Sequence, residues 1–448
     1  MTAKLRGSYG QANNHVLTTN FGTADLHQLK VYRRSGGHEA LERVLTAMKP
    51  ETVIAEVKAS GLRGRGGAGF ATGIKWSFMP PPDGKPRYVV INADESEPGT
   101  SKDRYLMENS PHLLLEGICI AQYAIGAHQA WIYIRGEYDH PYQMLKAAIA
   151  ELREADILGP RPFGTNHPLD IQLYRGHGAY ICGEETALLE SLEGKRAQPR
   201  ARPPYPAVKG AWGSPTLINN VETLSTLPWI INQGSANYAK LGTEKSKGTR
   251  LVSVSGHIRN PGVYEIELGM PFRQLIMDIA GGPLPGRELK AFWPGGSSSP
   301  VLPASMLDVG TDMEALAAAG SMAGSGGVIV MDNSWCMVKA AARLLRFYAF
   351  ESCGKCTPCR EGGNWAVRSY QRLLQGKGSN MDLQILDRIQ DGLQNGRCLC
   401  GLGDSAGWVI MSSMRYFRHE YEAHANRSCQ LCPQPEPSTP LREVAVHA

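Results

Sequence analysis

The segment Cys353-Gly-Lys-Cys356-Thr-Pro-Cys359 places three thiols in seven residues, so one turn of chain can aim three sulfurs at a common centre. Tetrahedral zinc sites are usually built from two separated Cys/His pairs, whereas three close cysteines and a remote fourth commonly hold a [4Fe–4S] cube. Zinc and buried free thiols are the plainer alternatives. The remote candidates are Cys398, Cys400, Cys429 and Cys432. Cys400 precedes Gly401-Leu402-Gly403-Asp404, whose glycines let the backbone approach a cluster and whose amides can donate to its sulfides. Spacing does not choose between Cys398 and Cys400. The pair Cys429-x-x-Cys432 reads as an unconstrained thiol pair beside a Pro-rich tail, with a second metal as its alternative. Cys182 has no partner at metal spacing and reads as a core thiol.

A second group of residues has nucleotide chemistry. Gly64-Arg65-Gly66-Gly67-Ala68-Gly69 matches G-x-G-x-x-G but follows a helical pattern instead of a strand, so a plain structural turn explains it equally well. Phe70, Lys75 and Phe78 follow at once, adding aromatic faces for a ring and a cation for phosphate. Asn92, Asp94, Glu95 and Glu97 then fall at the carboxyl end of an expected strand, where α/β proteins bind ligands and carboxylates can hold ribose or ribityl hydroxyls. A solvated acidic loop is the alternative. A third loop, Tyr180-Ile-Cys-Gly183-Glu184-Glu185-Thr-Ala, leads into a helix and could face the same crevice.

These groups need a scaffold. Helices are expected at His38–Met48, Pro50–Ala59, Pro111–Ala127 and Tyr142–Glu154, with strands at Tyr88–Ile91, Trp131–Ile134 and Ile171–Tyr174. This alternation predicts an α/β sheet with helices on its faces. A Pro-rich passage over Pro199–Pro215 precedes an expected helix at Asn220–Gln233. Leu251–Ser255 and Val263–Leu268 flank Asn260-Pro261-Gly262 as a hairpin, followed by a helix at Pro271–Ala280. Amphipathic patterns from about Ser334 predict a helical bundle. The expected divisions are 1–72 (extended arm, short helices and glycine loop), 73–245 (α/β domain), 246–333 (β-plus-helix module), 334–432 (bundle with the cysteines) and a tail, 433–448.

Composition narrows the class. At 448 residues the chain is long enough for several cores, and Gly and Pro (50 and 29) make it loop-rich. A net charge of +5 is too small over this length to mark a nucleic-acid groove. The apolar stretch Leu113–Ile134 is broken by Glu116, Gln122, His128 and Gln129 and reads as helix, turn and strand, not a membrane span. Nothing at the N-terminus resembles a secretory or organelle signal, so a cytoplasmic address with reduced thiols is expected.

Five motifs in order resemble the NADH- and FMN-binding subunit of respiratory complex I and the related diaphorase subunits of NAD-linked hydrogenases and formate dehydrogenases. They are Gly61-Leu-Arg-Gly-Arg-Gly-Gly-Ala-Gly-Phe70, Asn92-Ala-Asp-Glu95 with Glu97-Pro-Gly99, Tyr180–Ala187, Asn219-Asn-Val-Glu-Thr223 and Glu351–Arg360. The resemblance implies a Rossmann-like FMN/NADH domain, a β-grasp (SLBB-like) domain and a bundle carrying [4Fe–4S]. It implies that Gly64, Gly66, Lys75, Asn92, Asp94, Glu95, Tyr180, Gly183, Glu184, Asn219, Asn220 and Thr223 surround FMN. The adenosine end of NADH would lie among Phe70, Phe78, Glu97 and Tyr205, with Glu185 and Arg202 near the rest of the dinucleotide. Relatives often have Phe and Lys where this chain has Tyr205 and Arg202; stacking and charge survive both changes. In the family's last motif Thr stands two residues before the ligand cysteine, and Cys398 takes that place, so Cys400 joins Cys353, Cys356 and Cys359 as the implied ligands.

The implied reaction passes a hydride from NADH to FMN and single electrons from FMN to the cluster. The electrons would go on to a small [2Fe–2S] subunit and a large multi-cluster subunit of a complex on the cytoplasmic face of a bacterial inner membrane, and only indirectly to a membrane arm. The hydrogenase relatives commonly carry extra modules, and the chain ends soon after the bundle, which favours the complex I reading over a soluble diaphorase. A zinc-containing nucleotide-binding adaptor is the rival from another class.

Overall fold

The computed structural model describes residues 15–432; the expected tail and the first part of the expected arm lie outside them. The chain divides into two units, Met1–Asp332 and Asn333–Ala448.

From residue 15 the first unit begins with turns, not an extended arm. The buried Glu265 carboxylate accepts the amides of Val16 (2.9 Å), Leu17 (3.1 Å) and Thr18 (2.9 Å), which folds the segment back on itself. Helices α1 (Leu29–Arg34), α2 (Glu39–Ala47), α3 (Pro50–Ala59) and α4 (Thr72–Ser77) follow. A parallel sheet is then built from β1 (Tyr88–Ala93), β2 (Gln129–Ile134), β3 (Asp170–Arg175) and β4 (Thr216–Asn220), in the order β3-β2-β1-β4. Val89, Val90 and Ile91 are buried in succession, as a parallel strand covered on both faces requires.

The interleaved helices are α5 (Lys102–Asn109), α6 (Pro111–Ile125), α7 (Asp139–Glu154) and α8 (Glu185–Leu192). The apolar run of α6 is buried almost all round, so it is a core helix. A methyl group on Gly117 would lie 2.0 Å from the Leu224 carbonyl oxygen, so only glycine permits this approach. Gly126 ends α6 in the left-handed conformation and turns the chain into β2. Among the described residues no helix is long and apolar enough to cross a membrane.

The single helix expected at Asn220–Gln233 is absent. Asn220 closes β4 and its side chain caps α9 (Val221–Ser225), and Pro228 then opens α10 (Leu227–Gln233), before the short α11 (Ser235–Tyr238).

A mixed sheet completes this unit: β5 (Thr249–Gly256), β6 (Gly262–Glu267), β7 (Leu289–Trp293), β8 (Leu302–Pro303) and β9 (Gly327–Asp332), ordered β6-β5-β9-β7-β8. β5 and β6 form the expected antiparallel hairpin. The helix expected at Pro271–Ala280 is a widened turn over Gln274–Ile279, with the Ala280 amide on the Leu275 carbonyl five residues back; this keeps Leu275, Ile276 and Ala280 together in the core. The short α12 (Met313–Ala318) precedes β9.

The second unit is a bundle of α13 (Met337–Phe350), α14 (Thr357–Leu374), α15 (Asn380–Leu393) and α16 (Gly401–Ala425). Tyr421 is fully buried, and its hydroxyl meets those of Tyr370 (2.8 Å) and Ser413 (2.6 Å), so the polar atoms of this core are satisfied.

Candidate functional site

Strand order fixes where a ligand can enter the first unit. The chain leaves β1 toward β2 on one side, while β4 adds on the other, so a crevice opens beyond the carboxyl ends of β1 and β4. A cavity of about 920 Å³ lies there, lined by Asn92 from β1, Asn219 and Asn220 from β4, and Thr223 from α9. Gly64, Gly66, Gly67, Ala68, Gly69 and Phe70 line it too, with Lys75 and Phe78; so do Gly183, Glu184, Glu185, Arg202 and Tyr205. The volume is within the range of small-molecule and cofactor sites.

The asparagines are held by their neighbours. Trp76 Nε1 donates to Asn219 Oδ1 (3.0 Å), Asn92 Nδ2 donates to the Gly183 carbonyl (2.8 Å), and Asn220 Nδ2 donates to Asp103 Oδ2 (2.6 Å). Gly66 backs onto Asn220: a Cβ there would stand 3.0 Å from the Asn220 Cβ. Gly67 has φ +137°, with nothing within 4 Å of a built Cβ, so its backbone faces open space that a ligand can enter closely.

The charged wall is an ion cluster. Glu185 Oε2 meets Lys75 Nζ at 3.1 Å and its Oε1 meets Arg202 Nη1 at 3.0 Å. Glu184 caps α8, accepting the amides of Thr186 (3.0 Å) and Ala187 (2.9 Å). Phe70, Phe78 and Tyr205 are half or more exposed at the mouth, and the two phenylalanine rings lie 6.0 Å apart. Exposed aromatics at a cavity mouth are the surface a planar base needs.

Five expected residues do not line the cavity. Tyr180 is one of them, its hydroxyl turned to Glu97 (2.6 Å). Arg65 turns inward, its Nη2 donating to Tyr238 Oη (3.1 Å) and the Lys247 carbonyl (2.7 Å). Asp94 accepts from Ser96 Oγ (2.8 Å). Glu95 is buried under the N-terminus of α5, accepting the amides of Asp103 (2.7 Å) and Arg104 (2.9 Å); burial and then the Asp103 charge push its carboxyl up to about 8. Glu97 also accepts from Ser297 Oγ (2.9 Å) and the Ser298 amide (2.6 Å), tying the β1 loop to the mixed-sheet module. Burial raises its pKa. The sequence reading missed Thr72, Pro206, Ala207, Val208 and the run Thr216–Ile218, which also line the cavity. The β4 residues were missed because no element was expected between the Pro-rich passage ending at Pro215 and the helix expected from Asn220.

Below the crevice lies a network with no exposed member. Lys102 Nζ meets Asp103 Oδ1 at 2.8 Å and Glu222 Oε2 at 2.7 Å, and the second oxygen of Glu222 accepts the Leu251 amide (2.7 Å). Burial alone would drive the Lys102 ammonium toward neutrality, yet Asp103, Glu222 and Glu95 carry its pKa above the ordinary lysine range.

In the second unit Cys356 immediately precedes α14, Cys359 lies in its first turn and Cys400 immediately precedes α16. The Leu399 amide donates to Cys356 Sγ (3.2 Å) and Ser352 Oγ lies 3.2 Å from Cys359 Sγ. The 398–400 loop therefore sits over the triad. Cys398 is buried against Gly403, where a Cβ would come within 2.5 Å of its sulfur. Burial, then Cys359 and Cys356, push the Cys398 thiol up to about 11. Three partly exposed thiols around one helix start, a fourth at another, and an amide aimed at sulfur are a donor set that fits a [4Fe–4S] cube. The glycine cradle and the volume of the first-unit cavity likewise fit a flavin mononucleotide.

Comparison with known proteins agrees. Residues 57–229 match the Nuo51 FMN-binding domain, 251–302 the SLBB domain, and 339–424 the NADH-ubiquinone oxidoreductase-F iron-sulfur binding region. An F-type NADH-quinone oxidoreductase subunit of Rhizobium meliloti (strain 1021), the second of that type by its name, is 50% identical over 418 residues, covering 93% of this chain and 99% of that protein. The F-type NADH-quinone oxidoreductase subunit of Streptomyces coelicolor is 49% identical over 435 residues, 97% of this chain and 96% of that protein. The chain belongs to the family of F-type NADH-quinone oxidoreductase subunits. Its members are oxidoreductase subunits that work with FMN, a [4Fe–4S] cluster and NADH within a larger complex. A solved relative, a chain of an NAD+-reducing [NiFe]-hydrogenase in the H2-reduced state, has a TM-score of 0.80 at 34% identity over 93% of this chain and 68% of that one. The F-type relatives are nearer in sequence than this hydrogenase chain, as the complex I reading expects.

One expectation is overturned. Cys429 and Cys432 are not an unconstrained pair, because their sulfurs cluster with Cys336 and His424. Neither Cys336, 93 residues upstream of Cys429, nor His424 was singled out from the sequence.

Proposed function

We propose that this chain is the electron-entry subunit of an NADH:quinone oxidoreductase, with NADH and FMN in the β1–β4 crevice and the cluster on Cys353, Cys356, Cys359 and Cys400. The observation that carries the reading is the cavity that gathers the glycine loop, the three asparagines, the Lys75–Glu185–Arg202 cluster and the aromatic mouth. The crevice residues would hold FMN, which would supply hydride acceptance from NADH and one-electron release toward the cluster cysteines.

The chain's own part is orientation. Phe70, Phe78 and Tyr205 offer faces to the adenine, while Lys75 and Arg202 turn from Glu185 toward dinucleotide phosphates. Glu185 remains as an acceptor for ribose hydroxyls and repels a 2′-phosphate. Asn92, Asn219, Asn220 and Thr223 supply hydrogen bonds at the strand ends, and Gly66 and Gly67 let the loop backbone come close. Asp94, Glu95 and Tyr180 act from behind the cavity wall, and Glu97 braces the β1 loop.

The partners in this reading are a small [2Fe–2S] subunit and a large multi-cluster subunit, with the assembly on the cytoplasmic face of the membrane. The test is anaerobic purification with flavin, iron and sulfide analysis, then paired assays on the single chain. NADH–ferricyanide activity without inhibitor-sensitive NADH–quinone activity is expected, because no membrane-spanning helix is present among the described residues. Inhibitor-sensitive quinone reduction by the isolated chain would refute the entry-module assignment; absence of both activities with full FMN and iron would refute a redox role.

A further inference from the structure

The second unit holds a set of metal-ligating side chains apart from the four assigned to the iron–sulfur cluster. Cys336 immediately precedes α13, His424 lies in the last turn of α16, and Cys429 and Cys432 follow after the chain reverses at Arg427 (φ 57°). The three sulfurs and one imidazole nitrogen all lie within 4.8 Å of one another. We propose that Cys336, His424, Cys429 and Cys432 form a structural zinc site.

Geometry distinguishes this from a chance meeting of thiols. Ligand atoms on tetrahedral zinc, at about 2.3 Å for sulfur and 2.0–2.1 Å for nitrogen, stand roughly 3.5–3.8 Å apart, a set that falls inside the 4.8 Å limit of these four atoms, with Cys336 Sγ and His424 Nε2 at 3.3 Å. An iron–sulfur cube spreads its ligands wider than a single ion does. The histidine is oriented as a ligand: Nδ1 lies 3.3 Å from the Leu373 carbonyl, to which it can only donate, so Nε2 keeps its lone pair and faces Cys336 Sγ at 3.3 Å. Cys336 and His424 are buried, while the tail pair is partly exposed, so two anchors belong to the bundle and two ligands close over them.

Charge also fits. Zn²⁺ with three thiolates and a neutral imidazole carries one net negative charge. The Lys339 backbone amide bonds Cys336 and the Lys339 ammonium acts on Cys432, while the Glu420 carboxylate accepts the Met337 amide (2.7 Å) and offsets the partial positive charge at the start of α13. Binding releases the three thiol protons to solvent, with no redox change. The ion would fasten the chain beyond α16 to the start of α13, joining the first and last helices of the bundle.

The test uses the full chain with FMN and cluster in place, purified anaerobically. Metal analysis should give about one zinc per chain beside the iron, with Zn K-edge absorption fitting three sulfurs and one nitrogen. A Cys429→Ser/Cys432→Ser variant should lose the zinc and keep FMN and iron, and Cys356→Ser should lose iron and keep zinc. Wild-type protein that holds no zinc after Zn²⁺ reconstitution, an oxygen-rich zinc shell, or a disulfide among Cys336, Cys429 and Cys432 in freshly isolated protein would overturn the proposal. Because the wild-type spectrum decides it, failure of the double variant to fold does not protect it.

Discussion

Replacing Lys102 with Met tests whether the buried charges beneath the crevice hold it in shape. The ammonium is 1% exposed and lies between Asp103 and Glu222, themselves 5% and 0% exposed. Its removal leaves two carboxylates in a dry site, a defect worth about 3–5 kcal/mol. At roughly 2 °C per kcal/mol for a unit of this size, the melting point should fall by roughly 6–10 °C. The penalty should itself depend on pH. Burial, with the Glu222 charge, already raises the Asp103 carboxyl; without the cation that opposes this its folded-state pKa rises further above the unfolded value, near 4, so folding takes up a proton and stability falls as pH rises through the interval. Lys102→Met should therefore be nearer wild type at pH 5.5 than at pH 8. Flavin fluorescence on heating reports this unit directly, since FMN is released as the crevice opens. A loss below about 2 °C, or one equal at the two pH values, would refute the reasoning, since a buried charge left unpaired cannot be that cheap. Lys102→Met with Asp103→Asn and Glu222→Gln, which removes all three charges, should recover part of the loss.

Other outcomes follow from the same geometry. His38 is buried, with neither ring nitrogen hydrogen-bonded, and burial, then His112 and Arg33, lower its pKa to about 3; the unfolded chain takes up a proton near pH 6.5 and the folded one does not, so stability is lost as pH falls, by about 2 kcal/mol at pH 5. His38→Asn should flatten that acid slope in melting experiments, and an unchanged slope would place the effect elsewhere. Cys400→Ser should abolish the reduced cluster's low-temperature EPR signal while Cys398→Ser keeps it; the reverse pattern would move the fourth ligand to Cys398. Glu185→Gln should raise kcat/KM for NADPH relative to NADH by about tenfold, the ~1.4 kcal/mol of one removed repulsion, and an unchanged ratio would show that Glu185 does not set cofactor choice.

What could be read in the sequence was what is local. β1, β2 and β3 announce themselves by short runs of β-branched and aromatic residues, and Pro and Gly mark both ends of α6, so the sheet and its helices follow from neighbours in sequence. Asn219 and Asn220 could be named from a motif, but their strand could not, because β4 becomes a strand only by pairing with β1, more than a hundred residues earlier. The same limit applies to charge. Glu95 stood in an acidic loop that reads as ligand-facing, and only the tertiary fold turns its carboxylate away, under the α5 amides. It applies most strongly to Cys336, a lone thiol with no motif, whose neighbours Cys429 and Cys432 come to it only because α16 runs back along α13. Spacing identifies a ligand set when the backbone between the ligands is short. When a bundle must close first, the ligands are scattered along the chain, and their chemistry is visible only in the fold.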